Sequence, residues 1–167
     1  MGYTHYWRRR KSIPQPVFNA IVRDFRKVMA AIEEKGVRVC GGDGSGKPHV
    51  GKDSVSLNGC GNESLETFSF PRIYKPMYNP VANENNDRLF DFTKTGQQPY
   101  DIAVTSFLLI ARRHIGDSLV VTTDGEDADW KEARTVVQET LGYGEDMYFQ
   151  RVLQCPACRD GKSRRKP

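Results

Sequence analysis

The run Arg88–Gly116, RLFDFTKTGQQPYDIAVTSFLLIARRHIG, decides the fold. It reads as a strand, a tight turn and a helix that is apolar nearly all round. Between Ile102 and Ala111 only Thr105 and Ser106 interrupt the hydrophobic residues, so this helix must be covered on more than one side. Pro99 suits the first helical position, and Asp101 sits in the first turn, where a carboxylate complements the helix dipole. Arg112, Arg113, His114 and then Gly116 mark the end. In the preceding strand, Leu89, Phe90 and Phe92 read as core. The strand delivers Lys94 and Thr95 to the turn before the helix, where a cation, a hydroxyl and helix amides form a candidate anion site. The alternative for the same pair is a solvated lysine and a threonine that bonds its own turn.

Outward from this run, residues 14–35 form a clear amphipathic helix. Val17, Phe18, Ile21, Val22, Phe25, Val28, Met29 and Ile32 recur at three- and four-residue spacing, and Gly36 stops them. A third helix carries Trp130, Ala133, Val137 and Leu141. Four acids, Asp124, Glu126, Asp127 and Asp129, gather ahead of it. Their spacing does not match a calcium loop, and capping accounts for them. Strands are expected over 2–7, 37–40, 54–58, 66–71, 89–95 and 118–125. In the first, Tyr3, His5 and Trp7 share one side, while Thr4 and Tyr6 share the other. The expected order is strand, helix, four strands, helix, strand, helix. The fold class is therefore α+β: a mainly antiparallel sheet with about three packed helices and an extended basic C-terminal tail.

The chain of 167 residues is long enough for a single domain with a real core, assigned to 1–150 with a tail at 151–167. No apolar run approaches the roughly 18 residues of a membrane helix. Residues 1–12 lack the apolar segment of a secretory signal, so a cytoplasmic location without membrane contact is expected. On that basis the four cysteines read as reduced thiols or metal ligands. Cys155-x-x-Cys158 is half of a zinc knuckle, with Cys40, Cys60, His49 or a second chain as candidate completing ligands. A simple hairpin would place Cys40 and Cys60 at opposite ends of their strands. The net charge of +4 is concentrated in Arg8–Lys11 and in the last residues, Arg159 to Lys166. Such clusters fit nucleic-acid phosphates or simply solubility.

The glycine loop GGDGSGKP (41–48) matches most of a phosphate-binding loop. Pro48 stands where magnesium chemistry needs a hydroxyl, and no helix follows. It reads as a connection between strands. Residues 73–87 form a long aperiodic connection whose Tyr74, Lys75 and Tyr78 suit either ligand contact or an exposed loop.

MGYTHYW, GGDGSGKP, LNGCGNESLETFSFPR, FTKTGQQPYD and TTDG with Trp130 shortly after resemble a family of small uncharacterised proteins of bacteria and their phages. The resemblance spans most of Met1–Leu141. It implies a bacterial or phage setting and supplies no catalytic residues.

The candidate binding residues lie at element ends: His5, Tyr6, Trp7, Asn58, Glu66, Lys94, Thr95, Tyr100, Asp101 and Asp124. Three functions fit them. One is a non-catalytic binder of a small phosphorylated or nucleotide-like ligand, with Lys94 at the anion and Tyr6, Trp7 or Tyr100 stacked on a ring. Another is a nucleic-acid or protein adaptor using the basic termini and a zinc-bound tail. The last is an enzyme with Asp101, Glu66 or His5 as acid or base and Lys94 stabilising charge. His5 serves in these as a ligand contact, or else as a structural strand histidine.

Overall fold

A computed structural model describes residues 2–75 and 88–151. The Cys155–Cys158 pair, the C-terminal basic cluster and most of the 73–87 connection lie outside the described residues. In chain order the elements are β1 (Thr4–Arg10), α1 (Gln15–Glu34), β2 (His49–Val50), β3 (Ser54–Leu57), β4 (Phe68–Pro71), β5 (Arg88–Lys94), α2 (Asp101–Ile115), β6 (Val120–Thr123), α3 (Lys131–Leu141) and β7 (Gln150–Arg151). The class is α+β, as expected, but the strands divide between two sheets. One has the order β5-β1-β6-β7 and the other β2-β3-β4. Among the described residues only the β6–β7 pair is parallel.

α2 is buried from Ile102 through Ala111, including Thr105 and Ser106. Phe107 explains how an all-apolar helix is satisfied. Its ring meets Phe25 of α1 edge-on at 5.1 Å and Phe68 and Phe70 of β4 at 5.2 and 4.9 Å. Trp7 of β1 packs on the same two phenylalanines, which joins the sheets through one aromatic cluster. α1 presents the expected stripe, with Phe18, Ile21, Val22, Phe25, Val28 and Ile32 buried. One acid interrupts that stripe. Asp24 accepts hydrogen bonds from Arg23, His114 of α2 and Tyr143 after α3, at 2.8–3.0 Å. Burial pushes its pKa up, yet the three hydrogen bonds outweigh that and hold it below the ordinary carboxylate value.

Four expectations are corrected. Residues 37–40 do not form a strand; only Cys40 bridges, to Asn58. That pairing leaves the glycine loop before β2, and it sets Cys40 beside Cys60 instead of at the far end of a hairpin. The two form a disulfide, with Cα atoms 5.1 Å apart, and so are neither free thiols nor zinc ligands. The cluster Arg8–Arg10 is not a solvated terminus. It continues β1, with Arg8 and Arg10 exposed and Arg9 buried at 2% exposure. Finally, Phe90 and Phe92 are not core; they are 46% and 50% exposed. Leu89, Asp91 and Thr93 take the inward positions because they pair with Arg9, Trp7 and His5. Of the four acids before α3, two cap as expected, and Asp124 instead accepts the Thr4 amide and the Tyr6 hydroxyl. Glu126 and Asp129 form a reciprocal capping box, and Asp127 pairs with Arg134.

The disulfide closes a span of 20 residues. Replacing both Cys40 and Cys60 by serine is expected to lower unfolding free energy by about 3 kcal/mol in a urea titration. Alkylation of the unreduced, unfolded chain followed by peptide mapping should leave Cys40 and Cys60 unlabelled. For Asp24, the stability it contributes is full above the unfolded carboxylate value of about 4 and is lost as pH falls through its lower folded value. Asp24→Asn should therefore be destabilised at neutral pH and approach wild type as pH falls through the lowered folded value of Asp24, as read by thermal melts.

Candidate functional site

β1 is a central strand paired on both sides, so its alternation divides the candidate residues between two environments. His5, Trp7 and Arg9 point into the core, whereas Tyr6, Arg8 and Arg10 lie on the opposite face.

The inner group is closed. His5 is fully buried, with Nε2 2.7 Å from Asp101 Oδ1 and Nδ1 3.0 Å from Thr123 Oγ1. Thr95, also buried, donates its hydroxyl to the same Asp101 oxygen. The Gly125 amide donates to Thr123 Oγ1 at 3.0 Å. The chain runs unbroken from the Gly125 amide through Thr123 Oγ1 and the imidazole to the Asp101 carboxylate. Tyr3 and Trp130 meet the imidazole edge-on, each at 5.1 Å. Both ring nitrogens are thereby engaged, and His5 acts as a clasp between β1, β6 and α2. Beside it, Tyr3, Gln97, Asp101, Asp129 and Glu132 line an acidic cavity of about 200 Å³. Burial, and then the charges of Asp101 and Asp129, push the Tyr3 hydroxyl well above its ordinary pKa.

Trp7, 1% exposed, and Tyr100, fully buried, are core residues and offer no ring to a ligand. The Tyr100 hydroxyl donates to the Glu66 carbonyl at 2.9 Å. Asn58 organises the loops around it. Its amide donates to Gly42 and Leu65 carbonyls, and its oxygen accepts the Gly59 and Leu65 amides. The exposed Glu66 accepts the Lys94 backbone amide at 2.7 Å. Lys94 and Thr95 do not converge: Lys94 is exposed, while the Thr95 hydroxyl is turned inward onto Asp101. In the glycine loop, the Asp43 carboxylate takes the Ser45 amide and hydroxyl, which hold its pKa low. An anion sits where a phosphate cradle would need free amides.

The outer face is different. Register sets Phe92 of β5 and Thr122 of β6 on either side of Tyr6. One row along, Phe90 and Val120 flank Arg8, and in the other direction Lys94 lies across from Thr4. Tyr6 and Phe90 are nearly parallel, with centroids 6.2 Å apart. Phe92 completes a triangle at 6.4 and 6.0 Å. The Arg8 guanidinium rides over Phe90 at 5.3 Å. Asp124 fixes the Tyr6 hydroxyl, accepting it at 3.3 Å, and takes the Thr4 amide at 3.1 Å. Contiguous exposed aromatics framed by cations are not the usual surface of a stable monomer. Among the described residues no group of three or more acids, histidines or cysteines is arranged for a metal ion, and no helix is long and apolar enough to cross a membrane.

No family model, curated protein or solved structure matches this chain. Of the ten expected residues, the outer face retains Tyr6, Lys94 and Asp124. The clasp gathers His5, Thr95 and Asp101. Phe90, Phe92 and Arg8 were missed as site residues, although the alternation F-D-F-T-K in Phe90–Lys94 already puts both phenylalanines on the lysine side.

Asp101→Asn leaves His5 facing an amide in place of its carboxylate. It is expected to destabilise the fold by about 1–3 kcal/mol in equilibrium denaturation, whereas Tyr6→Ala and Phe92→Ala should fall within about 1 kcal/mol of wild type.

Proposed function

We propose that the protein binds single-stranded nucleic acid, without catalysis, on the open face formed by β5, β1 and β6. The observation that carries this reading is the juxtaposition of Tyr6, Phe90 and Phe92 with Arg8, Arg10 and Lys94 on one sheet face. Any base offers a π-face to an aromatic ring, and each such stack is worth about 1–3 kcal/mol. Arginine and lysine beside the rings supply phosphate contacts. The cations at the two ends of the aromatic triangle suit a strand that crosses it. A small nucleotide-like ligand is favoured less, because such ligands bury themselves in concave sites and this face is open. Tyr6 and Lys94 keep the roles expected for them, stacking and anion contact. The basic C-terminal cluster extends the same proposal. So does a cytoplasmic setting, in the host cell if the protein is phage-encoded. The Cys40–Cys60 disulfide weighs against the cytoplasm.

Fluorescence anisotropy with labelled single-stranded RNA and DNA oligomers tests the proposal. Tyr6→Ala and Phe92→Ala should each weaken binding roughly tenfold or more. Losing the contacts of Arg8, Arg10 and Lys94 together should flatten the salt dependence by about two in the log–log slope. Equal binding of duplex, or unchanged affinity in both aromatic variants, would refute it. So would sedimentation showing a dimer that dissociates in Phe92→Ala.

A further inference from the structure

The two sides of the open sheet face differ in charge. β5 and β1 present Phe90, Phe92 and Tyr6 with the cations Arg8, Arg10 and Lys94. The positions of β6 and β7 that share this face are Val120, Thr122, Asp124 and Gln150, and the charged one among them is Asp124. We propose that Asp124 makes the face selective for RNA over DNA, by accepting the 2′-hydroxyl of a nucleotide whose base stacks on Tyr6, a selectivity that rests on the nucleic-acid reading of the face.

Register places the carboxylate. The Asp124 backbone amide donates to the Thr4 carbonyl at 3.0 Å, so Asp124 lies across from Thr4, one row along from the Tyr6–Thr122 pair. Residues two apart on a strand share a face, and diagonal neighbours on adjacent strands are within reach of an aromatic side chain. The contacts agree. Tyr6 donates its hydroxyl to Asp124, 3.3 Å from either carboxylate oxygen, and Oδ2 also takes the Thr4 amide at 3.1 Å. An ionised carboxylate has about four acceptor sites and no donor. Thr4 and Tyr6 do not exhaust them, and the residue is half-exposed, so acceptor capacity remains beside the aromatic triangle.

Charge and hydrogen-bond chemistry decide what such a group takes from a strand. Phosphate oxygens are anionic acceptors and are repelled, which turns the phosphates toward Arg8, Arg10 and Lys94. Donors remain on the base edges and on ribose. Base-edge hydrogen bonds run in the plane of the base, and a base stacked on Tyr6 lies one layer above that ring. Asp124 meets the ring at its rim, where the Tyr6 hydroxyl ends. The sugar projects out of the base plane and carries the 2′-hydroxyl toward that rim. DNA has no hydroxyl there, whereas every ribonucleotide supplies this donor whatever its base. A hydrogen bond to a charged acceptor is of the stronger kind, enough to separate RNA from DNA by roughly tenfold or more.

The test is fluorescence anisotropy of the full chain with labelled oligouridylate, oligodeoxyuridylate and 2′-fluoro-oligouridylate of one length. Fluorine keeps a ribose-like sugar pucker but has no proton to donate. Oligouridylate should bind roughly tenfold or more tightly than the deoxy form, and the 2′-fluoro form should fall with the deoxy. Asp124→Ala should bring the ribo-to-deoxy ratio toward one. Asp124→Asn, which keeps an oxygen for the Thr4 amide, should lower the ratio part of the way. A merely structural loss would weaken both oligomers alike and leave the ratio intact. Equal affinity for the ribo and deoxy forms, with both bound, would overturn the selectivity and leave the stacking reading standing; no binding of any oligomer would overturn both. A 2′-fluoro form as tight as the ribo form, or a ratio undiminished in Asp124→Ala, would overturn the selectivity as well. So would a preference for guanine-substituted oligodeoxyuridylate that Asp124→Ala removes, which would assign the carboxylate to a base edge.

Discussion

Everything in this molecule depends on β1 being paired along both edges. A strand between two neighbours cannot rotate or slip, because a one-residue shift would send His5, Trp7 and Arg9 to the surface and Tyr6 and Arg8 into the core. That constraint fixes which aromatics are structural and which are presented. Trp7 cements the two sheets through Phe68 and Phe70, while Tyr6, a single residue away, joins an exposed triangle. His5 completes the fixation from the inside. Its two nitrogens reach Thr123 on β6 and Asp101 at the start of α2, so strand, strand and helix are held at one point.

Much of the fold was legible because periodicity reports burial. α1 follows its stripe, and α2, apolar all round, is surrounded as its composition requires. The capping role of Glu126 and Asp129 before α3 was equally plain. Errors arose where local pattern competes with long-range pairing. Phe90 and Phe92 looked like core because phenylalanine usually is; their orientation is set by partners on β1 more than eighty residues earlier in the chain. The basic run Arg8–Arg10 looked like a soluble end because charge density hides alternation, and so a buried guanidinium went unnoticed. Cys40 and Cys60 meet because Cys40 pairs with Asn58, a register that no spacing in the sequence announces.

The candidate site was half visible for the same reason. Residues at element ends were collected together, but a list made along the chain cannot separate the two sides of a sheet, and His5, Trp7, Asn58, Thr95 and Tyr100 are buried. Trp7 and Tyr100 went inward, and Lys94 parted from its neighbour Thr95. What the chain order scattered, the register of β1 and β5 assembled: Tyr6, Arg8, Phe90, Phe92 and Lys94 stand within two rows of one another.

The central place of β1 also bears on how the chain folds as it is made. His5 and its partner Thr123 are 118 residues apart. At synthesis rates of about 5–20 residues per second, roughly 6–24 s separate the two. Through that interval a segment carrying Tyr3, Tyr6 and Trp7 has one edge at most to pair with, and loop closure over such a span is slow. The strand that locks the finished molecule is thus the one left waiting longest, and it is where a chaperone would find the nascent chain most in need of cover.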